Sequence, residues 1–400
     1  MKSNLRLGER SWSERLSTDH HMLDSWLLLP LMALPIIGWI MVTSASTEIA
    51  SSQTGSPWYF SIRHGVFVFA SLIVALAVMR FPVTLWRSNG PALLMLAMIL
   101  LALVLVVGNE VNGSRRWIPL GPINIQPSEV AKFCMVIYVA GYMERHLTRL
   151  RRSWWGFLAP LSITLALGVL LILEPDYGTT VVLLATAMGM LLLAGASLWR
   201  FLLLLFAVVA LGAFMAISEP YRMQRITGFL DPWANQYGTG YQLTQALIAF
   251  GRGGWTGLGL GNSVQKLFFL PEAHTDFVFS VLAEELGVAG SLTVVGLFAL
   301  LVYRGFRVGR VAEENGQLFA AYVCYGFSLI IGGQAFINIA VNAGILPTKG
   351  LTLPLLSYGG SSLLTSGAMA GLLLRVDGEN RGRRRASRKR QQHADQEGAS

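Results

Sequence analysis

The sequence predicts an all-α polytopic membrane protein of about ten transmembrane helices, with one large loop on a single face. Three observations predict it. Of 400 residues, 53% are hydrophobic and only 13% charged, and the mean hydropathy is +0.53, a balance that excludes a soluble enzyme, a disordered tail protein and a disulfide-stapled module. The apolar residues fall in ten runs near the ~20 residues needed to cross a ~30 Å hydrocarbon layer. The basic residues alternate between the faces that those runs define, and most of them gather on one.

In chain order, residues 1–24 carry mixed charges before any apolar run, so they read as a cytoplasmic segment and not as a cleaved signal. The spans are expected at 25–43, 64–79, 91–107, 130–143, 156–173, 178–196, 198–217, 277–303, 318–341 and 355–374. The eighth has two readings. Residues 288–306 are long enough to cross alone, and 277–286 would then be a separate helix over the outer mouth of the bundle. The membrane domain accordingly covers 25–375, with a loop at 218–276 and a basic tail at 376–400.

With the N-terminus placed inside, 22 of the 31 Lys and Arg fall on the cytoplasmic face and eight outside, with Lys132 inside a span. Both termini are therefore expected in the cytoplasm. The run 381–390 holds seven basic residues and no aromatic ones. It lacks the stacking platform of a nucleic-acid binder and reads as a disordered tail facing anionic lipid, or as a docking segment. Cys134 and Cys324 lie in apolar runs and read as small buried hydrophobes.

Chemistry is expected outside, because the long loop and the unexplained cations are there. Arg115, Arg116 and Trp117 sit in a compact turn-rich loop ending at Gln126, and Arg offers a planar fork to phosphate oxygens. Glu129 and Lys132 follow three residues apart on one helix face, able to pair with each other or to share a cavity. Asp276 stands between a polar loop and an apolar helix. Partial desolvation there would raise its pKa toward that of a general base, although Thr275 or Asp276 could equally cap the helix. At most one of Glu284 and Glu285 faces a cavity, and one of them is expected to partner a nearby Arg or Lys. No His pair has metal-ligand spacing and no Gly-x-Ser-x-Gly elbow occurs, so neither a structural metal nor serine hydrolysis is expected.

Three segments carry a resemblance. NGSRRWIPLGPINIQPSEVAK at 112–132, GYQLTQALIAFGRGGWTGLGLGNSVQKLFFLPEAHTDFVFSVLAEELG at 240–287 and NAGILPTKGLTLPLLSYGGSS at 342–362 closely resemble the SEDS proteins of bacterial cell-wall synthesis, the division branch more than the elongation branch. The resemblance implies a SEDS-type fold and a glycan polymerase that joins lipid II units at the outer face of the inner membrane, at the division septum. It implies that Asp276 is the essential acid of the large loop and that Trp117, Glu129 and Lys132 surround a central cavity. Arg115, Arg116, Gln126, Lys266, Lys349, Ser357 and Ser361 fall in family motifs and become candidate substrate-binding residues. It further implies a class B penicillin-binding protein transpeptidase and other divisome membrane proteins as partners. A divalent cation, Mg2+ or Mn2+, is compatible with the pyrophosphate leaving group, and no other cofactor is called for. A lipid II flippase and a non-catalytic divisome scaffold are the competing readings; a flippase needs polar groups reaching the cytoplasmic face, whereas the candidates here cluster outside.

Overall fold

The computed structural model describes residues 24–111, 114–121, 123–217, 223, 227–348 and 350–397. Each predicted span falls on a helix: α1 (Ser25–Thr54), α2 (Tyr59–Arg80), α3 (Val83–Val107), α4 (Pro127–Arg152), α5 (Trp154–Leu173), α6 (Tyr177–Leu193), α7 (Leu198–Ile217), α9 (Val278–Glu314), α10 (Leu318–Asn342) and α11 (Gly360–Glu397), with the shorter α8 (Tyr241–Gly253) inside the large loop. Among the described residues, six helices (α1, α2, α3, α5, α9 and α10) are long and apolar enough to cross a membrane on their own composition. Helices α4 and α10 form the packed centre. Phe133 of α4 stacks on Phe327 of α10, and Gly326 lets α10 approach Val136 of α4 and Met190 of α6. This small-residue contact substitutes for the hydrophobic drive that lipid cannot supply.

The helix ends follow local chemistry. The Asp24 side chain accepts from the Trp26 N–H and caps α1, while Gly55 ends it in the left-handed conformation with φ 72°. Pro127 opens α4, where its missing N–H costs nothing. The division that the second reading of the eighth span requires is present. Gly287, at φ 66° and ψ −162°, breaks α9 into 278–286 and 288–314. A side chain there would collide with the backbone of Trp255 and Gly257. Loop and helix are zipped across this break, Leu258 and Gly259 donating to the carbonyls of Glu284 and Glu285, and Val288 and Ala289 donating to those of Gly254 and Trp255.

The all-α membrane fold holds, with one local addition: the compact loop after α3 is an antiparallel meander of β1 (Asn109–Val111), β2 (Ser114–Leu120) and β3 (Ile123–Ile125) in the order β1-β2-β3. One expectation needs correction: over its described residues, 376–397, the tail is not disordered, because α11 continues to Glu397. Arg, Lys, Ala and Gln are good helix formers, and Arg375–Glu379 and Asp377–Arg381 add pairs one turn apart.

That end of α11 belongs to an ionic collar. Asp24 accepts from Arg304 at 2.6 Å and gives its N–H to Asp377 at 3.2 Å, Asp377 pairs with Arg381, and Glu379 accepts the Val83 N–H. The collar marks one face of the bundle. The meander, the described part of the large loop and residues 350–359 mark the other.

Candidate active site

Asp276 lies where the large loop meets α9, and its position is fixed through its backbone. Its carbonyl accepts from Asn338 Nδ2 at 2.8 Å and from Asn342 Nδ2 at 3.0 Å. Asn338 also donates to the Leu351 carbonyl at 2.6 Å, and Asn342 Oδ1 accepts from the Ser280 backbone and hydroxyl. One turn further along α10, Gln334 donates to the Thr352 carbonyl at 2.9 Å and accepts from Lys132 Nζ at 2.6 Å. Gln334, Asn338 and Asn342 therefore form a ladder with a spacing of four, which places them on one helix face. The ladder ties together the Asp276 loop, the 350–357 segment and the Glu129–Lys132 pair.

Asp276 is half-buried, and its carboxyl lies beside Gly350, where an added Cβ would stand 3.1 Å from Oδ2; this junction of the loop with residues 350–357 is the candidate recess. Neither capping reading holds. Phe277 occupies the N-cap of α9 with no side-chain cap, and Thr275 Oγ1 donates instead to Glu272. Burial pushes the Asp276 pKa up to about 7; the negative charges of Glu272 and Asp176 add to this and Arg116 opposes it. His274, two residues earlier, packs against Phe60 and Tyr358 and accepts the Tyr358 N–H on its carbonyl. Its imidazole pKa is lowered by burial, so the ring acts as a neutral aromatic wedge under the loop.

Opposite stands the turn between α5 and α6. Asp176 caps α6 by accepting from the Thr179 N–H at 3.2 Å. Arg116 donates to the carbonyls of Glu174 and Pro175, which aligns its charge with the recess. The Glu174 carboxyl is fully buried without a hydrogen-bond partner. Burial, and then the Asp176 charge, push its pKa to about 8, against the pull of Arg116, which leaves it neutral at physiological pH.

The structure gathers some of the predicted site residues and separates others. Asp276 and Arg116 share the recess; Glu129 and Lys132 pair at 2.8 Å in the buried core and reach the site through Gln334. Trp117 is half-buried on β2 opposite Asn109. Arg115 is exposed and 3.5 Å from Glu110. Gln126 contributes its backbone, donating to Ser361 Oγ at 3.0 Å, and Ser361 donates in turn to the Asn124 carbonyl. Ser357 accepts from the Leu353 N–H and closes a turn. Lys266 is buried away from the recess, donating to Glu285, Ser44 and the Gly261 carbonyl. Glu284 and Glu285 both have basic partners, Arg252 and Lys266. Lys349 lies outside the described residues. No group of three or more His, Cys, Asp or Glu among the described residues is arranged to hold a metal ion.

The sequence reading missed the amide ladder and the Glu174-Pro175-Asp176 turn. It weighed charged side chains inside spans. Uncharged amides recurring every four residues in an apolar run are the signal that could have found the ladder, because a buried amide must also find partners.

The long apolar helices among the described residues, with the meander and the Asp276 loop gathered at one face, define a polytopic helical membrane protein. The chain belongs to the FtsW/RodA/SpoVE family of cell cycle proteins, whose model matches residues 25–382. Within that family it is FtsW-like. It is 64% identical over 374 residues to a protein of Halomonas elongata named "Probable peptidoglycan glycosyltransferase FtsW", covering 93% of this chain and 94% of the relative. A protein of the same name from Hahella chejuensis is 52% identical, covering 91% and 92%. Among solved structures, a chain of a peptidoglycan synthase complex described as coordinating polymerization and crosslinking matches with a TM-score of 0.76 at 30% identity, covering 90% of this chain and 99% of that one. The rod shape determining protein RodA of Thermus thermophilus matches with a TM-score of 0.66 at 30% identity, covering 90% and 97%.

Proposed function

We propose that this chain polymerises lipid II into glycan strands at the outer face of the inner membrane during septal wall synthesis, with Asp276 as general base. The observation that carries the reading is a carboxyl held by its own backbone in a recess, with a pKa brought to about 7 and Arg116 opposite. A base poised near the working pH is half ionised there and takes a proton readily.

In the reaction, the 4-hydroxyl oxygen of the acceptor GlcNAc attacks the anomeric carbon of the donor MurNAc, and its proton passes to Asp276. The bond from that carbon to the pyrophosphate oxygen breaks with inversion, and undecaprenyl pyrophosphate leaves as the anion. Arg116, held in place by the Glu174 and Pro175 carbonyls, stabilises the departing charge. Trp117 and Arg115 lie on β2 at the same face, and they and Lys349 are assigned to sugar and phosphate binding. Gln126, Ser357 and Ser361 shape the rim through backbone contacts. The Glu129–Lys132 pair supports the floor. Among the described residues no cluster of acidic or imidazole ligands is built to hold a divalent cation, and no step is routed through one.

The proposed orientation puts both termini in the cytoplasm, with the basic end of α11 near anionic headgroups. The proposed partners are a class B penicillin-binding protein, which would crosslink the strands as they emerge, and other divisome membrane proteins. The reading is tested with purified protein, its transpeptidase partner and lipid II: the wild type makes long glycan and Asp276→Ala makes none. Normal polymerisation by Asp276→Ala would overturn the assignment.

A further inference from the structure

One stretch of the large loop has a surface that does not suit water. Residues 253–270 contain a single charged side chain, Lys266. That ammonium is turned inward onto Glu285, Ser44 and the Gly261 carbonyl. The stretch instead exposes Trp255, Leu258, Leu260, Leu267, Phe268 and Phe269, with Phe268 60% exposed. Phe268 also holds a left-handed backbone, φ 66°, which is unusual for a bulky residue and turns its ring outward.

The height of this surface follows from its fastenings. Ser44, which Lys266 grips, lies twenty residues after Asp24 on α1. At about 1.5 Å per residue that is roughly 30 Å from the ionic collar, the thickness of the hydrocarbon layer. Trp255 is hydrogen-bonded through its carbonyl to Ala289, at the start of the second segment of α9. Next to it on α9, Val288 and Leu292 are exposed as well. Tryptophan and phenylalanine at that level are the side chains that settle at a headgroup boundary.

We propose that residues 253–270 are seated in the outer leaflet of the membrane, making the large loop a monotopic element whose occupant is lipid. The seat fixes the height of Asp276, seven residues beyond Phe269, at the headgroup plane where the sugar–pyrophosphate bond of a lipid-linked donor must lie. This consequence rests on the polymerase reading; the seat itself does not.

The test uses the full chain in phospholipid nanodiscs, carrying Phe268→Cys labelled with a bimane maleimide. Native Cys134 and Cys324 are buried, so the label reports position 268. The expected result is loss of bimane emission to a lipid spin-labelled near its headgroup, a smaller loss to one labelled deep in its chain, and little loss to aqueous iodide. Quenching by iodide and not by either lipid would overturn the proposal. So would a site shielded from iodide only when the transpeptidase partner is added, which would identify a protein interface. A second variant, Phe268→Glu with Phe269→Glu, is expected to lower polymerisation while leaving the pH midpoint of activity in place. Unchanged polymerisation would refute the height-setting role. Quenching does not depend on turnover, so failure of the polymerase reading would leave the lipid result standing.

Discussion

Removing the amides that grip Asp276 tests how far its position, as distinct from its presence, controls the reaction. Asn338→Ala strips one of two hydrogen bonds from the Asp276 carbonyl and leaves the Leu351 carbonyl facing a cavity. Asn342→Ala strips the other and frees Ser280. A buried carbonyl left without a donor costs about 1–3 kcal/mol. If that energy is expressed as displacement of the loop, each single variant loses about 10-fold in kcat at nearly unchanged KM, at about 1.4 kcal/mol per tenfold. A shift of about 1 Å at a reacting group is worth about 100-fold, which is the loss expected of the double variant. The assay is gel-resolved polymerisation of fluorescent lipid II in proteoliposomes, with substrate varied and thermal unfolding followed in parallel. The sign of a positioning effect is a fall in kcat together with a lowered or broadened pH midpoint, since a loosened carboxyl is better hydrated. A double variant that folds and polymerises at the wild-type rate with the wild-type midpoint would refute the reasoning.

Four further outcomes follow from the same geometry. Activity of the wild type should rise with pH through about 7, because the base proposed at Asp276 would work only when ionised. Asp276→Asn, inactive, should raise the unfolding temperature by more at pH 8 than at pH 5: the raised folded pKa makes ionisation costly, a cost that grows between the unfolded and folded values and then levels. Lys132→Ala should lower the unfolding temperature sharply, since it leaves Glu129 buried without its partner, a loss of about 3–5 kcal/mol; Glu129→Gln with Lys132→Met should recover much of it. Ser361→Ala should cost only about 1 kcal/mol in stability through the lost Gln126 contact and change KM for lipid II by less than about twofold; a large rise in KM would show the hydroxyl touching substrate directly.

The spans were legible because hydropathy is additive along the chain: runs such as 91–107 need no tertiary information to be recognised. The placement of Asp276 at a loop–helix junction was legible for the same reason, as a change from polar to apolar sequence. The meander was not, since its short strands, with Pro119 inside β2, carry no clean alternation and owe their pairing to the helices beneath. The roles of Arg116 and Lys266 were also hidden. Both were counted as free cations outside, yet the geometry gives each carbonyl or carboxylate partners that only folding brings near. The Gly287 break could be suspected from span length, but its cause is a backbone-to-backbone approach by Gly257 from thirty residues upstream.

The ionic collar has a mechanical consequence. Asp24, Arg304, Asp377 and Arg381 lash the first residue before α1, the middle of α9 and the exit of α11 to one another, as a ferrule binds the strands of a cable. A pull or twist on the exit of α11 is shared at that ring among three helices, before it can reach the side of the bundle that holds Asp276.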